Sequence, residues 1–139
     1  MSLTALALLG YITWTILLLL AIAALRLALV LGGRRGANSF AADGADVSPF
    51  AQRLARAHAN CYESFPILGG LLLVALATWQ TRLTDPLALM MLAARVAQSF
   101  THLLSGGVLA SLIRFFFFAI QLGIALRWLF LFLTHWTAF

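Results

Sequence analysis

The chain is expected to be an all-α membrane protein, a bundle of four transmembrane helices. Its 139 residues are 63% hydrophobic and only 9% charged, whereas a soluble domain carries about 25% charged residues. Apolar runs at about 3–31, 58–80, 86–104 and 108–133 each approach the roughly 20 residues that cross a bilayer as a helix. Leu, Ala and Phe fill these runs without strand-like alternation, which favours helices over a barrel. Backbone polar groups in hydrocarbon must pair within their own segment, so each run is read as helical.

The first run, about 3–31, follows Met1-Ser2-Leu3. It lacks the basic start of a cleavable signal and is longer than a signal core, so it is expected to remain as helix 1. The connector at about 32–48 is rich in Gly, Ala, Ser and Asp, a composition that predicts a flexible or ligand-ordered segment. Ser48-Pro49 has the Ser cap and Pro start of a helix, so helix 2 is expected over 49–80. At 1.5 Å per residue that helix is roughly 48 Å long, more than the ~30 Å hydrocarbon core, and should project past the membrane. Thr84-Asp85-Pro86 suggests a second cap, placing helix 3 at about 86–104. Helix 4 follows Ser105-Gly106-Gly107 at about 108–133. No internal repeat interrupts the chain, which reads as one transmembrane domain over 1–139.

The formal charge of +5 comes from nine basic residues, all Arg. It reads as a topology signal. No soluble basic domain is present to hold nucleic acid. Arg34, Arg35, Arg53 and Arg56 cluster around the first connector, which the positive-inside rule places in the cytoplasm with both termini on the opposite side. Trp79 and Trp136 then fall at the outer boundary, where interfacial Trp is favoured. The one cysteine, Cys61, cannot form an internal disulfide and reads as a small buried residue. No zinc spacing, phosphate loop, dinucleotide motif or Ser/His/Asp arrangement is present, and no metal site is expected.

Polar residues within the spans are the candidates for chemistry, because ionisable groups are costly there. Arg56, Asn60 and Glu63 stand at i, i+4 and i+7, on one helix face. Together they offer a guanidinium fork, an amide and a carboxylate, enough to read a small zwitterion. A purely structural interhelical cluster is the other reading. Arg95, Gln98 and His102 stand at i, i+3 and i+7 on helix 3. Arg95 needs a partner, and Glu63 is the only acid inside a span, so a structural Arg95–Glu63 pair is the first expectation. Arg114 and Gln121 share a face of helix 4. Arg114 is expected level with Asn60 and His102, which brings polar groups from three helices to one depth. Snorkelling toward the headgroups is the alternative for Arg114. Phe115 to Phe118 are expected to face lipid or neighbouring helices.

The stretch Arg56-Ala57-His58-Ala59-Asn60-Cys61-Tyr62-Glu63-Ser64-Phe65-Pro66 resembles the signature of MAPEG proteins, the membrane-associated proteins in eicosanoid and glutathione metabolism. The shared pattern is Arg-Ala-x-x-Asn-x-x-Glu followed by Pro. Chain length, four apolar segments and a basic first loop are similar to those of a bacterial-type member, for which a bacterial inner membrane is the expected location. The resemblance implies a homotrimer with sites between subunits near the cytoplasmic face. It implies glutathione as cosubstrate, held by Arg56, Asn60 and Glu63 with His58 and His102 nearby, and by Arg34 or Arg35 at the end of helix 1. It gives Arg114 the role of stabilising the thiolate. The substrate would be a lipophilic electrophile or lipid hydroperoxide drawn from membrane lipid. Arg95, Gln98 and Gln121 remain structural polar residues. The sequence departs from glutathione-using members at Gln98 and His102, where they often carry aromatic hydroxyls, and at Phe115 and Phe118. Those departures keep open a noncatalytic lipid- or ligand-binding protein on the same scaffold. A small transporter or channel subunit is a third reading, disfavoured by helices built for packing.

Overall fold

A computed structural model describes residues 1–136; the side chain of Trp136 lies outside that description. Four helices follow in order: α1 Leu3–Leu31, α2 Pro49–Ala77, α3 Thr81–Leu104 and α4 Val108–Trp136. All four are long and apolar enough to cross a membrane. Leu, Ile and Phe side chains remain exposed along their length, as suits a chain whose solvent is lipid. Helices α1, α2 and α3 pack on one another, whereas α4 rests on α3 and along the edge of α2, without packing on α1. The core combines small residues, such as Ala7, Ala57, Ala75 and Ala88, with the large Tyr11, Leu72, Met91 and Trp128. Small side chains let helix backbones approach closely where water supplies no drive to associate.

Three helix boundaries differ from those expected. Helix α2 ends at Ala77, because Trp79 adopts a left-handed conformation (φ 60°). The Gln80 amide donates to Ala75 O at 2.8 Å and the Trp79 amide to Leu76 O at 3.3 Å, which closes the helix with a Schellman turn. Gly33 (φ 67°) ends α1 in the same way, but there the residue is the one suited to that conformation. Trp79 is 93% exposed, free to lie in the headgroup layer. Helix α4 runs on to Trp136 instead of stopping near 133.

Helix α3 starts at Thr81, not at Pro86. Asp85 therefore does not cap its own helix. Its Oδ1 accepts from the Thr4 amide at 2.7 Å and the Thr4 hydroxyl at 2.5 Å, and Thr4 Oγ1 lies 2.6 Å from Thr84 Oγ1. Asp85 thus supplies a second cap to α1, beside Ser2, whose Oγ accepts from Ala5 N at 3.1 Å. A carboxylate at a helix N-terminus satisfies an orphan amide and complements the dipole.

The connector is not loose. Arg35 bridges Asp46 at 2.5 Å, donates to Asp46 O and Ser39 O at 2.7 Å each, and lies against the Phe40 ring. The Ala41 amide, first, and the Arg35 guanidinium hold the Asp46 carboxyl below its ordinary range. Gly44 (φ 67°) is buried with the loop pressed onto α2; a Cβ there would come within 2.8 Å of Ala51 O.

The charge inside the bundle is met differently from the expected pairing. Arg95 is 1% exposed. Its Nη1 donates to Asn60 Oδ1 and to Asn60 O, and its guanidinium lies 5.7 Å from the Tyr11 ring centre. Glu63 makes no ion pair among the described residues. Tyr11 donates to Cys61 O at 2.7 Å, and Ser99 Oγ, 3.5 Å from Cys61 Sγ, donates back to Arg95 O. Helix α4 is tied in by Gln121, whose Nε2 donates to Gln98 Oε1 at 2.9 Å.

Two outcomes are expected. Asp85→Ala removes the shared cap and should lower unfolding free energy in detergent by about 1–2 kcal/mol; the exposed Arg82→Gln should change it by less than about 0.5 kcal/mol. In a double-mutant cycle, Arg95→Leu and Asn60→Leu should couple by roughly 1–3 kcal/mol. Arg95→Leu and Glu63→Leu should add to within about 0.5 kcal/mol; strong coupling there would restore the acid as the partner.

Candidate functional site

The open seam between α2 and α4 contains two cavities. Nearest the loop side, a cavity of about 230 Å³ is lined by Gln52, Arg53 and Arg56 of α2, His102 of α3, Ser105 and Gly106 of the turn, and Arg114 of α4. Arg114 is oriented by the turn that precedes its helix: Nη1 donates to Ser105 O at 2.9 Å and Nη2 to Ser111 Oγ at 2.6 Å. Arg53 is oriented by α3, donating from Nε to Leu103 O at 3.0 Å. Arg56 makes no hydrogen bond among the described residues and is exposed. Three guanidinium groups and one imidazole therefore surround one small space, without a carboxylate among them. Such a space favours a ligand bearing negative charge.

Farther along the seam, a cavity of about 280 Å³ has a polar wall of Asn60, Glu63, Ser64, Arg95 and Gln121, and an apolar wall that includes Ile67, Phe118 and Leu122. Two buried atoms in it, Arg95 Nε and Gln121 Oε1, lack hydrogen-bond partners. One is a donor and one an acceptor. Glu63 is exposed at the side of the protomer.

Arg56, Asn60 and Glu63 do follow one seam, but in separate cavities. Arg114 is gathered with Arg56 and His102, one turn nearer the loop than Asn60. The convergence of three helices is therefore built on Arg56, His102 and Arg114. Gln52 and Arg53 belong to it; in the sequence Arg53 reads only as a topology signal, although it is three residues from Arg56 and so on the same helix side. Gln98 is buried and spent on Gln121, and Phe118 lines the deeper cavity while Phe115 is 67% exposed.

The remaining candidates lie elsewhere within the protomer. Arg35 is consumed by Asp46 in the connector. Arg34 is exposed and lines neither cavity. His58 packs beside the Tyr62 ring, centroids 5.3 Å apart, outside both cavities. Among the described residues no cluster of His, Cys, Asp and Glu could hold a metal.

No curated protein and no solved structure matches the chain. A family model described as MAPEG family matches residues 4–134, which takes in all four helices and both cavities. The chain belongs to the MAPEG family of integral membrane proteins, whose members generally work with glutathione.

Proposed function

We propose that the protein is a glutathione-dependent membrane transferase or peroxidase acting on lipophilic electrophiles or lipid hydroperoxides. The observation that carries this is the cavity in which Arg53, Arg56, His102 and Arg114 converge without a carboxylate.

The residues present fit glutathione, a tripeptide with two carboxylates, one ammonium and a thiol. Arg56 is free to take a carboxylate, and Glu63 to take the ammonium. These two are seven residues apart, about 10.5 Å along the helix; an extended tripeptide spans about 10 Å. Asn60 lies between them and offers its amide. Arg95 and Gln121 add polar side chains to the wall of the deeper cavity beside Asn60. Glutathione supplies a thiol nucleophile, which at a pKa of about 8.5 is largely protonated at neutral pH and is ionised more readily beside Arg. Arg114 is the assigned thiolate stabiliser, since Ser105 and Ser111 fix its fork at the cavity wall. Phe118, Leu122 and Ile67 provide an apolar side from which a membrane-dissolved substrate enters.

Assembly as a homotrimer belongs to this reading. Glu63, and Tyr62 at 52% exposure, lie on the outside of a span. A carboxylate facing hydrocarbon costs roughly 2.5–3.5 kcal/mol. A neighbouring copy covering this face removes that cost, encloses the seam and brings the exposed Arg34 toward it. The arginines about the first connector support a cytoplasmic position for that loop, with the termini opposite.

A noncatalytic lipid- or ligand-binding protein is the second reading, favoured by one observation: Phe118 and Leu122 give the deeper cavity a largely apolar wall.

Thermal unfolding of the detergent-purified protein should shift upward with glutathione concentration, because a ligand of the folded form stabilises it by mass action. Arg56→Ala should abolish the shift. A well-folded oligomer with no shift would favour the second reading. In a conjugation assay, Arg114→Ala should lower kcat at least about 10-fold, the equivalent of one hydrogen bond to a charged group, with the oligomer intact. Unchanged turnover would remove Arg114 from its role.

A further inference from the structure

A second arginine groove lies on the other side of the protomer, outside the seam and independent of the function proposed for it. Arg26 stands five residues before the end of α1 at Leu31, about 7.5 Å along the helix. Helix α1 has 29 residues and is about 43 Å long, so it exceeds a hydrocarbon core of about 30 Å. Arg26 therefore falls near the boundary between acyl chains and headgroups on the side of the connector.

The guanidinium does not float there. Nη2 donates to Ala41 O at 3.1 Å, and the group lies 5.4 Å from the centre of the Phe40 ring. It forms one wall of a groove of about 370 Å³ shared with Leu27, Val30, Ala37, Asn38 and Phe40. The loop's other anchoring cation, Arg35, is neutralised by Asp46. Among the described residues no carboxylate pairs with Arg26, and Ala41 uses only one of its five N–H donors. The groove thus has a half-buried uncompensated cation and an amide at its loop end. Its other end is apolar, with Leu27 57% exposed toward lipid.

We propose that this groove binds an anionic phospholipid, with the phosphodiester on Arg26 and Asn38 and an acyl chain along Leu27 and Val30. A guanidinium fork matches two phosphate oxygens. Arg26, with no carboxylate paired to it among the described residues, disfavours a headgroup that carries its own ammonium, so the anionic lipid is preferred over a zwitterionic one. The phosphate chemistry is shared with free inorganic phosphate; the apolar walls assign it to lipid.

The test is thermal unfolding of the delipidated full chain in neutral detergent with added phosphatidylglycerol, phosphatidylcholine or inorganic phosphate, with native mass spectrometry to count retained lipid. Phosphatidylglycerol should raise the midpoint in a concentration-dependent way and be retained at least tenfold better than phosphatidylcholine. Arg26→Gln should erase that preference. Val30→Trp, which fills the groove and leaves the Arg26 contact with Ala41 in place, should erase it too. Equal stabilisation by inorganic phosphate, unaffected by Val30→Trp, would overturn the lipid assignment. So would a phosphatidylglycerol preference that survives both substitutions, or no headgroup preference in the unaltered protein.

Discussion

Helix α3 carries a permanently charged guanidinium, Arg95, at 1% exposure between apolar helices. On insertion scales such a group costs at least about 2.5 kcal/mol at the centre of a span. Hydrogen bonds from a charged donor contribute about 1.5–3 kcal/mol each, and a desolvated ring face about 2 kcal/mol. Two oxygen acceptors and a ring face together are enough to offset that cost. Asn60 of α2 provides its carbonyl and its side-chain oxygen, and Tyr11 of α1 provides its ring. One cation therefore fixes the relative positions of α1, α2 and α3. Tyr11, whose hydroxyl donates to Cys61 O next to Asn60, ties the ring and the acceptor helix together, while Ser99 donates to Arg95 O within α3.

Helix α4 is outside this arrangement, and its looser attachment creates the seam. It is joined through Gln121 to Gln98, through Arg114 to the turn, and by burial of Trp128 and Ile124. Because α4 leans on α3 and only edges α2, the gap between α2 and α4 is left as two cavities. Their polar walls combine the side of α2 that bears Arg56, Asn60 and Glu63 with His102 and Arg95 of α3 and Arg114 and Gln121 of α4. A tight four-helix bundle with α4 packed across α1 and α2 would have no such space. Arg95 belongs to both features, closing the first three helices and lining the deeper cavity along the fourth.

The four spans were legible because each is an apolar run with no water-compatible alternative. What escaped was non-local. Thr84-Asp85-Pro86 has the local form of a helix start, yet Asp85 caps the distant α1, and no spacing rule connects Thr4 to Asp85. Trp79 occupies a left-handed position that normally signals Gly, so the end of α2 was placed three residues late. Charge suggested Glu63 as the partner of Arg95, but Asn60 presents two oxygens at one level of the helix, while Glu63 lies three residues farther on and is turned outward. The i, i+4, i+7 pattern placed Arg56, Asn60 and Glu63 along one side correctly as geometry. It could not register that Arg56 opens into one cavity with Arg53, His102 and Arg114 while Asn60 and Glu63 line another, since this depends on how α3, its turn and α4 come together. Arg35 read as a free cation because its partner, Asp46, is reached only by folding the connector back on itself.

The hydrogen bonds sort the polar residues by role. Arg95, Gln98 and Arg35 spend their donors or acceptors inside the protomer, on Asn60, Gln121 and Asp46. Arg56 and Glu63 have no hydrogen bond among the described residues, although both lie along the seam. In a membrane ionisable groups are rare, and they mostly face a bundle interior or a water-filled cavity or pair with a partner. The bound groups therefore hold the bundle, and the unbound ones are those suited to a ligand or a neighbouring copy. Arg114 stands between the two sets. Ser105 and Ser111 take one donor from each terminal nitrogen, and the guanidinium retains three more at the wall of a cavity without a carboxylate. A cation oriented by its own turn, with donors to spare, is the kind of group that a negative charge at that wall would meet with little reorganisation, and this is what the proposed role of Arg114 rests on.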